Sequence, residues 1–219
     1  MEGPSENTVF GVPMVSFCDL RLSELRQHMA HYNKYGIGLT KEWANRQGLN
    51  PVLYVSKNSD FTRRFMAAVK EIYPQPEAHK DVNELHRAQR VYMSVLNAYR
   101  FMKNYEGRLV RRNREIIENY RFADEREWRY VPALNEYEPS FVLPAMISTP
   151  EQKKALNLAA VDHRLMFQPE DIRYLIVESD SERLELIAHL RRVKRAFSKD
   201  EQTRLVSRIL TASQIENDI

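Results

Sequence analysis

One cysteine, six glycines and a net charge of only +3 are the scarce features of this 219-residue chain. The lone thiol, Cys18, excludes an internal disulfide framework and a cysteine-based zinc cage, and it fits a reducing cytosol. No run approaches the roughly 18–20 apolar residues needed to cross a bilayer. Residues 2–9, EGPSENTV, are polar, unlike the basic-then-apolar opening of a secretory signal. The reading is a cytoplasmic protein with no membrane partner. The charge surplus is too small to name a partner by itself. The six histidines complete no ligand pattern: His28 and His31 are three apart, and no carboxylate or cysteine finishes a set, so no metal is expected. Gly-x-Gly occurs only as Gly36-Ile-Gly38, without the third glycine or the long helix of a dinucleotide fold, and no phosphate-binding loop is present.

What is present is 43% hydrophobic residues, enough to bury one substantial core or at most two small ones. With no repeat or interdomain linker, the chain reads as a disordered leader over 1–11 and a single domain over 12–219. Val12–Cys18 reads as a strand, and Asp19 as the cap of a helix carrying Leu22, Leu25, Met29 and Tyr32. Tyr35–Thr40 reads as extended, Thr40 caps a short helix closed by Gly48, and Pro51–Val55 is the next strand. Helices follow over Asp60–Tyr73 and Val82–Met102, with strands at Arg108–Arg111 and Glu125–Val131. Thr149, Pro150 and Gln152 open another helix. Ile172–Val177 is the clearest strand, Ser179 and Glu182 form a capping box, and Arg204–Thr211 reads as a closing strand. This order implies an α+β fold with a curved, mostly antiparallel sheet and flanking helices.

Three segments concentrate chemistry. In Asp124–Tyr130, a strand would place Glu125, Glu127 and Arg129 on one face. Paired carboxylates of this kind do general acid/base work or steady a developing positive charge; the segment also reads as an exposed strand whose charges pair with its neighbours. Gly36 and Gly38 alternate along one strand, so bare backbone on that face admits a flat ring or a ribose, or else marks a bulge or tight packing. Tyr32 and Tyr35 would line such a cleft or belong to the core. Between Arg87 and Arg121, nine Lys or Arg stand against three Glu, with four tyrosines interspersed. That mixture points to RNA or DNA as a partner, while Leu85, Tyr92, Val95, Leu96 and Tyr99 form one helical stripe that faces a core. Cys18 has no base nearby in sequence and reads as a small buried hydrophobe.

Pro13-Met-Val-Ser-Phe-Cys-Asp19, Tyr35–Trp43 with Pro51–Tyr54, Glu125–Pro132 and the tail Ser207–Ile215 together resemble the AbiGi family of bacterial abortive-infection, phage-resistance proteins. The resemblance implies one half of a toxin–antitoxin pair, the antitoxin by the family's usual description, with a cognate toxin or antitoxin protein as partner. A more distant similarity is to ADP-ribosyltransferases, whose split curved sheet holds NAD and whose last motif is a Glu-x-Glu strand, matched here by Glu125-Arg-Glu127. It implies that Glu127 binds the nicotinamide-ribose 2′-hydroxyl and stabilises an oxocarbenium-like transition state. Glu125 would orient or deprotonate the acceptor, RNA or DNA among the candidates. Ser16 would match the middle Ser/Thr strand, and Tyr32, Tyr35, Gly36, Gly38 and Arg129 would lie around the cofactor. The resemblance also places a His-Phe-Thr segment before the first block, and the chain is expected to start after it. The leading expectation is an NAD-dependent ADP-ribosyltransferase-like effector, and the alternative is a catalytically inactive antitoxin.

Overall fold

A computed structural model describes residues 10–79, 81–110, 115–133 and 140–218. In chain order the strands and helices are β1 (Val15–Cys18), α1 (Leu25–His31), β2 (Gly36–Leu39), α2 (Lys41–Arg46), β3 (Asn50–Pro51), β4 (Leu53–Val55), α3 (Asp60–Glu71) and α4 (Val82–Tyr99). There follow β5 (Met102–Asn104), β6 (Gly107–Val110), β7 (Ile116–Tyr120), β8 (Glu127–Tyr130), α5 (Pro150–Ala159), β9 (Ile172–Val177), α6 (Asp180–Val193), α7 (Lys199–Ser207), β10 (Ile209–Thr211) and α8 (Ala212–Asp218). Helix starts are fixed by local chemistry, because the first amides of a helix have no partner within it. The hydroxyls of Thr40, Ser59, Thr149, Ser179 and Ser198 and the carboxylate of Asp81 accept from those amides at α2, α3, α5, α6, α7 and α4. Gly48 follows α2 in the left-handed region, at φ +71°.

The strands form several small sheets rather than one split sheet: β1-β8-β3, β10-β9-β2, and the pairs β4-β5 and β6-β7. Pairing is antiparallel at β2–β9 and β3–β8, and parallel at β4–β5 and β9–β10. The chain forms two compact units. The first comprises Met1–Phe17, Asn50–Arg108 and Glu118–Arg164, and the second Cys18–Leu49, Leu109–Ile117 and Leu165–Ile219.

In the first unit α3 and α4 meet through a stripe of residues at helical spacing. Val69, Tyr92 and Leu96 are buried, with Phe65, Ile72 and Met93 packed on them. Tyr92 thus faces the core, as its stripe predicts. Residues 1–9 of the expected leader lie outside the described residues, which begin with Phe10 and Gly11. Gly11 exchanges two backbone hydrogen bonds with Val142, and the Phe10 ring packs edge-on against Phe141.

In the second unit β9 is covered on both faces, which is why Ile172–Val177 reads as a nearly continuous apolar run. Ile172, Leu175 and Val177 pack with Leu205 of α7, Ile209 of β10 and the apolar residues of α6. Ile176, pointing the other way, packs with Met29 of α1 and Ala212 and Ile215 of α8. Two expectations change here. Arg204–Thr211 is the end of α7 followed by β10, because Ser198 and Glu201 cap a helix ahead of it. Asp19 caps nothing and instead pairs with Lys41 at 2.5 Å, while Arg21 precedes the short turn Leu22–Glu24 that leads into α1. No helix among the described residues is long and apolar enough to cross a membrane.

Candidate functional site: a buried carboxylate cluster in the first unit

The expected strand over Glu125–Val131 begins at Glu127. Phe122–Glu125 forms a tight helical turn, and Arg126 ends it in the left-handed region at φ 45°. Glu125 therefore does not share a strand face with Glu127 and Arg129, which do lie on one face of β8 two residues apart. The two carboxylates come together nonetheless, both buried, on one cation from β5. The Lys103 ammonium donates to Glu125 Oε2 at 2.6 Å and to Glu127 Oε2 at 2.8 Å, and it sits 4.8 Å over the Phe122 ring.

Glu127 is the hub. Its Oε1 accepts from Ser16 Oγ on β1 and from Arg129 Nε, each at 2.6 Å, and its Oε2 accepts from Lys103 and, at 3.3 Å, from Arg129 Nη2. Its backbone N–H donates to the Tyr54 hydroxyl on β4 at 2.8 Å. Arg129 also donates to the carbonyls of Arg100 and Met102 at 2.7 and 3.1 Å, which ties β8 to the end of α4, where carbonyls lack helical partners. Two carboxylates face two cations, the balance that lets charges be buried.

Burial alone pushes the Glu127 carboxyl up, but the hydrogen bonds from Arg129, Lys103 and Ser16 outweigh it and lower its pKa to about 2. Burial also pushes the Tyr54 phenol up. Because the folded Glu127 carboxyl titrates below its ordinary value of 4.5, its stabilisation is complete above about pH 4.5 and is lost as the pH falls toward 2. The expected size is about 3 kcal/mol. Urea unfolding of the protein and of Glu127→Gln across that window checks it: the stability gap between them should close as the pH falls. A gap independent of pH would show that Glu127 does not titrate in this way.

The structure brings together Ser16, Glu125, Glu127 and Arg129. Tyr32, Tyr35, Gly36 and Gly38 belong to the second unit. There Gly36 and Gly38 pair with Ile176 and Tyr174 across β9, and a β-carbon added at either would meet those side chains at 3.5 and 3.0 Å. The backbone the glycines bare is thus covered by cross-strand side chains, with a bulge between Gly38 and Leu39. The Tyr35 hydroxyl donates to Glu182 at 2.8 Å, and that bond raises its pKa to about 12. Tyr32 stacks on His28 at 4.5 Å.

Lys103 and Tyr54, with the Arg100 carbonyl, complete the cluster, and no local sequence signal marks them. Lys103 and Arg100 counted only toward the basic stretch, where they turn inward: Arg100 is buried and donates to Asn97 and to the Pro132 carbonyl. Arg108 and Arg121 of that stretch pair with Glu118 and Asp124, and residues 111–114 lie outside the described residues. Cys18 also differs from its reading, since His28, ten residues on, brings Nε2 to 3.8 Å from its half-buried sulfur. Among the described residues, no group of three or more His, Cys, Asp or Glu is arranged to hold a metal ion.

The fold and site together define a mixed α/β protein whose first unit is laced by a saturated, charge-balanced cluster. Residues 5–178 match the family described as abortive phage resistance protein AbiGi, antitoxin, and the chain belongs to that family. It is 25% identical over 226 residues to the "Abortive phage resistance protein AbiGi" of Lactococcus lactis subsp. cremoris, an alignment covering 94% of this chain and 88% of that protein. No solved structure matches the chain.

Proposed function

We propose that this protein is the partner-binding antitoxin half of an abortive-infection pair, and that Glu127 builds its first unit rather than transforming a substrate. The family's antitoxin designation supports the reading. The observation that carries it is the saturation of Glu127. An ionised carboxylate offers about four acceptor positions, and Ser16, Lys103 and Arg129 occupy them all. A ribose hydroxyl would have to displace one of these donors. Held at about 2, the carboxyl is also a poor proton acceptor near neutrality.

A second reading, the NAD-dependent transferase, is favoured by one contact: Ser16 Oγ lies 2.6 Å from Glu127 Oε1, setting the serine strand beside the glutamate as the resemblance implies. The covered backbone at Gly36 and Gly38 counts against a cofactor lying there. Co-expression with the neighbouring toxin gene, alongside incubation of the purified protein with labelled NAD and cell extract, separates the two. The antitoxin reading expects growth rescue, co-purification of the toxin and no label transfer. Toxicity of this chain alone, with transfer abolished in Glu127→Gln, would establish the transferase instead.

A further inference from the structure

The first unit also holds a cavity of about 780 Å³, within the roughly 300–1,000 Å³ range of small-molecule sites. One face of α3 forms a wall, with Thr62, Met66 and Val69 recurring at helical spacing and Arg63 and Lys70 beside them. Val55 of β4 and Met102 and Asn104 of β5 form another. Side chains alternate across a strand, so Tyr54 and Lys103, paired in register between those residues, reach the other face and meet Glu127. The cavity and the carboxylate cluster occupy opposite faces of one parallel strand pair and share no side chain.

Three features of the lining specify a ligand. The rings of Phe61, Phe65 and Tyr99 form a near-parallel ladder, with centroids 6.4 and 6.2 Å apart and interplanar angles of 13° and 10°. Phe61, at its end, is 52% exposed and offers a flat face. Three cations, Lys57, Arg63 and Lys70, line the cavity, and among the described residues no Asp or Glu does. Arg63 is engaged by Asp60, whereas Lys57 and Lys70 have no ion-pair partner among the described residues. Two carboxamides, Asn58 and Asn104, also line it, and neither side chain is hydrogen-bonded among the described residues.

A flat ring that stacks, polar edges that pair with amides, and a multiply charged anion are the parts of one ligand class. We propose that this cavity binds a nucleoside phosphate, its base stacked on Phe61 and its phosphates held by Lys57 and Lys70. An aliphatic anion would satisfy the cations but would leave the ring face unused. Stacking a base on an aromatic side chain contributes enough to matter in a small ligand, and phosphate contacts from two lysines add a salt-dependent share. The inference rests on neither reading of the protein's role, because none of its residues touches Glu127.

Calorimetric titration of the whole protein with ATP, inorganic phosphate and palmitate tests it. ATP should bind, more weakly as salt rises, and more tightly than inorganic phosphate. Phe61→Ala should weaken ATP about tenfold, and Lys57→Ala and Lys70→Ala should each weaken it several-fold. All three side chains are exposed, so melting temperatures should stay near that of the parent protein. ATP affinity unmoved by these variants, phosphate binding as tightly as ATP, palmitate binding in place of ATP, or no ATP binding at millimolar concentration would each overturn the proposal.

Discussion

In urea titrations of fluorotryptophan-labelled protein, Glu127→Ala is expected to shift the Trp128 transition by a loss of about 3–5 kcal/mol. That is a large part of what a domain of this size has to lose. The truncation removes the acceptor shared by Ser16, Lys103 and Arg129 while leaving both cations in place. Lys103 keeps Glu125, but Arg129, which is 8% exposed, keeps among the described residues only the carbonyls of Arg100 and Met102. An uncompensated buried guanidinium is the costly outcome. Replacing the pair together, as Glu127→Leu with Arg129→Met, should recover much of the loss, since the desolvation of both charges goes with them. The chain has two tryptophans, Trp128 in the first unit and Trp43 in the second, so fluorine NMR reads each unit without further substitution. A loss under about 1 kcal/mol for Glu127→Ala would mean that water reaches Arg129 readily and that the cluster behaves as a surface ion pair.

The parts of this architecture legible in the sequence are those whose physics is local. Ser179 with Glu182 and Thr149 with Gln152 announce their helices because a hydroxyl three residues ahead of an acceptor satisfies free amides whatever the rest of the chain does. Ser198 and Glu201 carry the same signal, and it makes Arg204 helical. Ile172–Val177 is legible because a strand covered on both faces needs apolar residues at nearly every position. Partners distant in sequence leave no such trace. Pro51–Val55 reads as one strand but divides, because the Val52 amide bonds to Glu127 while the next amide, Leu53, bonds to Phe101. The candidate site was legible in the same partial way. Glu127 and Arg129 follow from the period of a strand, but Arg126 turns left-handed and detaches Glu125 from that pattern. Lys103, which reunites the two carboxylates from more than twenty residues away, looked like one more basic residue in a basic stretch.

For Leu205→Ala the expected loss is about 2–5 kcal/mol, read at Trp43 in the second unit. Leu205 is the one buried residue of α7, at 0% exposed. Apart from the half-buried Val206 the rest of the helix is polar, so its place against the unit's core rests on Leu205 packing with Ile172, Leu175, Val177 and Ile209. Truncation removes buried methyl groups and leaves a hole that the backbone hydrogen bonds of the adjoining strand pair keep from closing. β10 is paired in register with β9, and that pairing begins where α7 ends, the Arg208 carbonyl accepting from the Leu175 amide. Trp43 reports the change because its ring packs edge-on against Phe167, itself packed on the same cluster, and its indole N–H donates to the Met166 carbonyl at 2.9 Å. Leu184→Ala on α6 is the internal contrast. That side chain is 63% exposed, and its loss should stay within about 0.5 kcal/mol. Equal effects from the two substitutions would mean that α7 is not held by its buried leucine, and the packing of β9 between two helical layers would have to be redrawn.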